Sequence, residues 1–148
     1  MISESIVVRP PETPQEYEDY FNLRWRILRE PLGMARGTEQ DDKEREAFHV
    51  AAFKGAQIVG AGRLHFNSSV EGQIRYMAIA DECQGQGLGS LLLQALEQEA
   101  SDRQIKVIVL DARDVAIKFY ERNGYTAQES FIHSIGIAST KMGKVLSD

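Results

Sequence analysis

The seven residues from Gln84 to Ser90 constrain the fold of this chain more than any other stretch, because they set three glycines between a strand-like segment and a strongly amphipathic helix. Gly85, Gly87 and Gly89 allow a tight turn and let a ligand approach the backbone closely. The first N–H groups of the helix have no intrahelical partners, and the helix dipole adds partial positive charge there. Together these features favour an anion site suited to a pyrophosphate.

Several kinds of nucleotide-binding loop share these features, and the spacing of the residues separates them. A P-loop needs Lys and then Ser or Thr after its last glycine, whereas Gly89 is followed by Ser90 and Leu91. A dinucleotide-binding turn needs G-x-G-x-x-G, but the spacing here is G-x-G-x-G. A third pattern, Q-x-x-G-x-G, is satisfied by Gln84, Gly87 and Gly89. For this stretch alone, a glycine-rich turn that binds no ligand is the alternative.

The composition indicates one globular domain that spans residues 1–148. Hydrophobic residues make up 43% of the chain and charged residues 26%, which suits a soluble protein with a proper core. The formal charge of −5 argues against nucleic-acid binding, and no apolar run approaches the roughly 18 residues of a membrane span. A single cysteine, Cys83, excludes an internal disulfide; with no signal-peptide pattern at the N-terminus, it favours a cytoplasmic protein.

Hydrophobic periodicity and turn residues predict a mixed α/β fold with helices on both faces of the sheet. The first strands pair in an antiparallel manner, and one parallel βαβ crossover follows over residues 73–111. Residues 38–46 are predicted as a short charged helix or a substrate-lining loop, with a solvated loop as the alternative. The predicted strands cover residues 5–9, 48–53, 57–66, 73–79, 104–111, 125–131 and 140–146, and the predicted helices begin at Pro14, Leu88 and Asp114.

Local signals define the helices and one unusual strand. Thr13 is the predicted N-cap of the first helix, and Glu16 completes a capping box. Asp114 is the predicted N-cap of the last helix. Gly60 and Gly62 fall on one face of the third strand, where they weaken it unless another element packs closely. The second helix has its predicted buried face at Leu88, Leu91, Leu92, Ala95 and Leu96.

A second informative stretch, Ala116 to Tyr125, reads A-x-x-F-Y-E-x-x-G-Y and follows the glycine loop, a helix and an apolar strand. In this order the two stretches resemble the GNAT N-acetyltransferase superfamily, in which a Q-x-x-G-x-G loop binds the pyrophosphate of acyl-CoA. The similarity covers roughly residues 60–125, and Leu23 to Gly33 resembles an L-R-x-x-V-L-R-x-P-L-G segment of small bacterial members. The resemblance implies a GNAT-like central sheet and an N-acetyltransferase that uses acetyl-CoA and a primary amine.

The resemblance also implies roles for individual residues. Tyr120 would be the general acid that protonates the departing CoA thiolate, with a half-buried core tyrosine as the alternative. The backbone of Met77 and Ile79 would contact the pantetheine arm between splayed strands. Asp111 stands where many members have Asn or His, and an ionised Asp cannot donate a hydrogen bond. The implied cofactor-binding residues are Met77, Ala78, Ile79, Gln84, Gly85, Gln86, Gly87, Leu88, Gly89, Ser90, Asp111, Arg113, Ala116 and Phe119.

The base that deprotonates the amine is left open among acidic and histidine residues. Arg75 on the fourth strand is predicted to pair with a carboxylate, either in the pocket wall or only to balance charge. The segment from Gly136 to Met142 resembles a family pattern G-I-x-H-x-x-M, but Ser139 takes the place of its His. The candidate bases are Glu39, Asp41, Asp42, Glu44, Glu71, His49 and His65.

Two other functions are compatible with the same fold: an acyl-CoA sensor without catalysis, and a protein-interaction module that has lost the cofactor. No metal is expected, because the sequence has no Cys- or His-rich ligand cluster. The resemblance implies a homodimer formed through the C-terminal strands. The acceptor is left open between a small amine, an amino acid, an antibiotic and a protein terminus.

Overall fold

The computed structural model describes residues 5–132 and 136–146 of the chain. Within this part, seven strands form one sheet and three α-helices pack against it. The strands are β1 (Ile6–Arg9), β2 (Phe48–Lys54), β3 (Gln57–Phe66), β4 (Glu71–Ile79), β5 (Val107–Arg113), β6 (Thr126–Ile132) and β7 (Ala138–Val145), and the helices are α1 (Pro14–Leu28), α2 (Leu88–Asp102) and α3 (Ile117–Arg122). Short 3-10 turns cover Glu30–Leu32, Asp81–Cys83 and Asp114–Ala116.

The strands follow the order β1-β2-β3-β4-β5-β7-β6 across the sheet. Strands β1 to β4 pair in an antiparallel manner, and β4 pairs parallel to β5 through the crossover that contains α2. Strand β7 lies between β5 and β6 and is antiparallel to both. The predicted mixed α/β fold is therefore confirmed. The pairing of β5 with β7 sets Ser139 opposite Arg113, which matters for the site described below.

The N-terminus of α1 has the predicted N-cap hydrogen bond, but the second hydrogen bond of the predicted capping box goes to a different residue. The side chain of Thr13 accepts a hydrogen bond from the Glu16 N–H at 3.1 Å. The Glu16 carboxylate accepts from the N–H of Glu12 at 2.8 Å, one residue before the position that a capping box uses. It also pairs with Arg9 of β1 at 2.9 Å, so the same residue ties the helix to the edge of the sheet.

Helix α2 packs directly on the glycines of β3, as the sequence predicted for an element above them. A Cβ atom at Gly60 would lie 3.0 Å from Leu92, and one at Gly62 would lie 3.1 Å from Leu96. The missing side chains let the helix approach the sheet closely, and Leu92 and Leu96 are fully buried there. None of the helices in the described ranges is long and apolar enough to cross a membrane.

Three local predictions are wrong. Residues 38–46 form turns instead of the predicted short helix, and two of their carboxylates, those of Asp41 and Glu44, bind arginines on other elements. Asp114 does not cap α3 with its side chain; it begins a 3-10 turn, and the α-helix starts three residues later. Leu91 is 43% exposed, while Leu93 is buried in its place, so the core-facing side of α2 is rotated from the predicted one.

Candidate active site

A cleft opens in the sheet where β4 and β5 separate. The two strands pair from Glu71–Val107 to Ile74–Leu110. Just beyond this point β4 bulges, because it advances three residues while β3 advances two, and Tyr76 has a φ of 60°. A non-glycine residue in this conformation persists only where its surroundings hold it. The bulge bends β4 away from β5 and leaves a cleft of about 810 Å³.

The glycine loop forms one end of this cleft. Gly85 and Gly87 have φ values of 78° and 83°, a conformation that residues with a side chain rarely adopt. Gly89 is required for space, because a Cβ atom there would lie 2.8 Å from the ring of Phe119. No side chain of the described residues caps the first turn of α2, so its N–H groups are available to an anion.

All the predicted cofactor-binding residues line the cleft except Gln86. The Gln86 side chain is exposed and donates to the carbonyl of Glu82 at 3.4 Å instead. Gln84 donates to the carbonyl of Ile79 at 3.2 Å, which ties the loop to the end of β4. The loop and the splayed strand therefore form one continuous wall.

Tyr120 lies on α3 and lines the same cleft. Its side chain is 7% exposed, and its ring makes edge contacts with Phe119 and Tyr125 at centroid distances of 5.0 and 5.8 Å. Burial raises the pKa of the Tyr120 phenol above its usual value. The phenol is therefore protonated at neutral pH, so it can donate a hydrogen bond but cannot act as a base.

Two carboxylates of the loop between α1 and β2, those of Asp41 and Glu44, do not line the cleft but bind a cluster of arginines beside it. Asp41 bonds Arg63 at 2.6 and 3.0 Å and Arg75 at 2.7 Å, while Glu44 bonds Arg24 at 2.7 and 2.9 Å and Arg63 at 2.7 Å. Burial opposes ionisation of both acids, but the guanidinium groups outweigh it and lower both pKa values. We call these five residues the arginine network. Its carboxylates hold charge and are unsuited to accept a proton.

The histidine candidates are engaged in the same way. His49 donates Nε2–H to the Glu44 carbonyl at 2.7 Å, and His65 accepts a hydrogen bond from Arg63 at 2.8 Å through Nδ1. Burial lowers the pKa of both histidines, and the charge of Arg63 lowers that of His65 further. No group of three or more potential metal ligands occurs in the part of the chain that the structure describes. The candidate bases that the cleft lining lacks are Glu39, Asp41, Asp42, Glu44, Glu71, His49 and His65.

The sequence analysis missed the role of Tyr76, whose ring is the meeting point of four arginines. The guanidinium carbons of Arg24, Arg75, Arg63 and Arg29 lie 3.9, 4.5, 5.0 and 5.6 Å from the ring centroid. These cation–π contacts hold the ring and, with it, the strained backbone of the bulge. The sequence signal that could have indicated this cluster was the presence of arginines among the apolar residues of strands and helices. Arg75 both pairs with Asp41 and lines the cleft, so its two predicted roles are not exclusive.

The split sheet, the glycine loop at a helix N-terminus and the buried tyrosine have the arrangement that the sequence resemblance implies for acetyltransferases. Residues 33–146 match the family model of the acetyltransferase (GNAT) domain, and the chain belongs to this family. The protein is therefore an acyltransferase of the N-acetyltransferase type, which favours the enzyme over the two binding-protein alternatives.

The chain is also similar in sequence to a bacterial relative and in fold to solved structures. The uncharacterized N-acetyltransferase YjcF of Bacillus subtilis (strain 168) is 26% identical over 132 residues, which cover 88% of this chain and 93% of YjcF. An acyl-CoA N-acyltransferase from Pseudomonas aeruginosa has the same fold with a TM-score of 0.80 and 19% identity, over 96% of this chain and 99% of that one. An aminoglycoside 6'-N-acetyltransferase complexed with coenzyme A superposes with a TM-score of 0.79 and 15% identity, over 96% and 98% of the two chains.

Proposed function

We propose that the protein transfers the acetyl group of acetyl-CoA to a primary amine by direct attack. The observation that carries this proposal is the cleft between β4 and β5, which contains both the glycine loop and Tyr120. Family membership and the coenzyme A complex of a protein with this fold support acetyl-CoA as the donor. The N–H groups of Gln84–Ser90 would bind the pyrophosphate, and the main chain of Met77 and Ile79 would bind the pantetheine arm where β5 has moved away.

The chemistry needs one nucleophile and one acid. The amine nitrogen attacks the thioester carbon, a C–N bond forms, and the C–S bond breaks with its electron pair on sulfur. Tyr120 would give its proton to the thiolate, the surplus proton of the amine would leave to solvent, and the phenol would regain a proton from solvent. Main-chain N–H groups of β4 past the bulge would stabilise the oxygen charge that develops during attack.

The charge of the cleft offers an explanation for the missing base. Among the described residues that line it, Asp111 is the one carboxylate. Four arginines line the same space, Arg29, Arg75, Arg113 and Arg122, and of these Arg75 is already paired with Asp41. An excess of positive charge lowers the pKa of a bound ammonium group, since it disfavours the cationic form. The amine would therefore bind in its neutral, nucleophilic form without a dedicated side-chain base.

Thermal unfolding with acetyl-CoA, and with ATP and NAD as controls, tests the donor. A ligand at 100 times its dissociation constant stabilises a protein by roughly 2.7 kcal/mol, which gives a clear shift in Tm. Only acetyl-CoA is expected to produce it. No shift with saturating acetyl-CoA would reject the proposal.

A pair of glycine variants then tests the loop. Gly87→Val is expected to remove the acetyl-CoA shift, because it distorts the backbone that would approach the pyrophosphate. Gly55→Val is the matched control, since Gly55 has a similar φ of 62° in the turn between β2 and β3 and does not line the cleft. Both variants lose stability through backbone strain, but only the first is expected to lose binding. An acetyl-CoA shift that survives in Gly87→Val would refute the loop assignment.

A further inference from the structure

We propose that the acceptor amine carries a carboxylate group, and that Arg29 and Arg113 bind this carboxylate. The inference rests on the proposed acetyl transfer in the same cleft and names the class of its acceptor. It assigns Arg113 to the acceptor instead of the cofactor, with which the sequence resemblance had placed it, because Arg113 bonds the end of α1. It comes from two guanidinium groups that the fold brings together without a carboxylate partner among the described residues.

The side chains of Arg29 and Arg113 both donate a hydrogen bond to the carbonyl oxygen of Leu28. Arg29, the residue after α1, donates Nη1–H to the Leu28 carbonyl at 3.1 Å and Nε–H to the Thr38 carbonyl at 3.0 Å. Arg113, the last residue of β5, donates Nη2–H to the same Leu28 carbonyl at 3.1 Å. Two elements far apart in sequence thus place two cations at the C-terminus of α1, and both line the cleft.

The positive charge at this point is not compensated within the part of the chain that the structure describes. Neither Arg29 nor Arg113 forms an ion pair with a carboxylate there, whereas Arg24, Arg63 and Arg75 all do. The end of a helix offers about half a negative charge, which is too little for two guanidinium groups. Burial, and then the charges of Arg113 and its neighbours, lower the pKa of Arg29, in keeping with an uncompensated cation.

A carboxylate fits this site chemically. Its two oxygens accept the parallel N–H bonds that a guanidinium group offers, and its single negative charge offsets most of the positive charge that remains beside the helix end. Ser139, which is opposite Arg113 on β7, lines the same region with a buried, uncharged hydroxyl group. The described residues at this end of the cleft thus leave the anion to be supplied by a ligand.

We do not expect the phosphates of CoA to bind Arg29 and Arg113, because the glycine loop that would bind the pyrophosphate lies on the other face of the sheet. The glycine loop opens α2, which covers the face to which Gly60 and Gly62 point. Alternation along β3 sends Arg63 to the opposite face, where it approaches the ring of Tyr76. Arg29 approaches the same ring and therefore lies on the α1 side. The cleft passes through the sheet from the α2 side to the α1 side. Acetyl-CoA that enters from the α2 side and an acceptor amine that enters from the α1 side would therefore meet at the bulge.

The first experiment measures binding without turnover. In the presence of CoA, N-acetyl-L-amino acids are compared with the corresponding primary amides and with N-acetyl aminophosphonates of matched side chain, by isothermal titration. Each acid and its amide have nearly the same shape, but the amide is neutral and has an NH2 group in place of one carboxylate oxygen. At least one acid is expected to bind at least about 10-fold more tightly than its amide, the effect of one charged hydrogen bond. Tighter binding of the phosphonate would overturn the carboxylate assignment.

Variants link this preference to the two arginines. Arg113→Gln and Arg29→Lys are each expected to weaken binding of the acid by about 10- to 100-fold and binding of the amide by a clearly smaller factor, because the amide carbonyl accepts a hydrogen bond but carries no charge. Arg36→Gln removes an exposed positive charge that does not line the cleft, and it is the control for net charge. Acid binding that is equal in parent and variants, or no acid preference in a protein that binds CoA, would overturn this inference alone. A protein that fails to bind CoA or acetyl-CoA would overturn the proposed function and this inference together.

Discussion

Two sets of arginines lie in or beside the cleft, and they differ in the partners that they bind. The arginine network has Arg24 and Arg63 fully buried, with Asp41 and Glu44 held against them. The cleft pair, Arg29 and Arg113, has backbone carbonyls as partners and no carboxylate among the described residues. Both sets stand beside the same strained bulge.

This difference in partners distinguishes arginines that stabilise the fold from arginines that are available to bind a ligand. Buried ions cost several kcal/mol to desolvate, and an internal counter-ion offsets that cost. Where the chain supplies the counter-ion, as in the arginine network, the charges fix a loop and a strand bulge. For the cleft pair, whose described surroundings supply none, we infer that the counter-ion comes from a ligand. Each prediction below tests one side of this contrast.

Removal of a carboxylate from the arginine network is expected to have the largest effect. Glu44→Ala leaves Arg24 and Arg63 buried with one acid fewer, which is expected to lower the free energy of unfolding by about 3–5 kcal/mol. Urea denaturation measures this loss. Glu18→Ala, on the exposed side of α1, is the control and is expected to change it by less than about 0.5 kcal/mol. A loss below about 1 kcal/mol for Glu44→Ala would show that the network is not structural.

Tyr120→Phe is expected to show the opposite behaviour, with a large effect on rate and a small one on affinity. Without the phenol proton, kcat is expected to fall by about 100-fold or more, because general acid catalysis is worth roughly that factor. The dissociation constant for CoA is expected to stay within about 2-fold. Thiol release measures the first quantity and calorimetry the second. An unchanged kcat would rule out Tyr120 as the acid.

Local periodicity was sufficient to predict the order of strands and helices, the parallel crossover and the glycine loop. These features depend on spacing within a few residues, as in Leu88, Leu92 and Leu96 or in Gly85, Gly87 and Gly89. The arginine network was not predictable, because Asp41 meets Arg63 across 22 residues and Arg75 across 34. The acids of the loop were expected to line the substrate site, and only the tertiary contacts show that they bind arginines instead. The Arg29–Arg113 pair spans the chain in the same way.

The histidines beside the network are expected to make stability depend on pH. Their pKa values are lower in the folded protein than the ordinary value of about 6.5, so the unfolded chain binds protons more tightly. The contribution of the two histidines to stability is therefore fully present above about pH 6.5, and it is lost as the pH drops towards the pKa values of the folded protein. The slope is at most about 1.4 kcal/mol per pH unit for each histidine.

His65→Gln isolates one of these contributions, since the amide oxygen can still accept from Arg63. Urea denaturation between pH 7.5 and pH 5.5 is expected to show a smaller pH slope in the variant than in the parent. An identical slope would show that His65 takes up its proton in the folded state as readily as in the unfolded chain.

Neutralisation of a cleft arginine is expected to have the smallest effect on stability. It directly compares an arginine without a carboxylate partner among the described residues with an arginine of the network. Arg113→Gln loses one hydrogen bond to the Leu28 carbonyl but also relieves repulsion with Arg29. These effects oppose each other, so we expect the free energy of unfolding to change by less than about 1 kcal/mol in urea denaturation. Arg63→Gln is the matched variant in the network and is expected to cost about 3–5 kcal/mol, because it leaves Asp41 and Glu44 without their shared partner. Equal losses in the two variants would mean that Arg113 is as structural as Arg63, and that its positive charge is not reserved for a ligand.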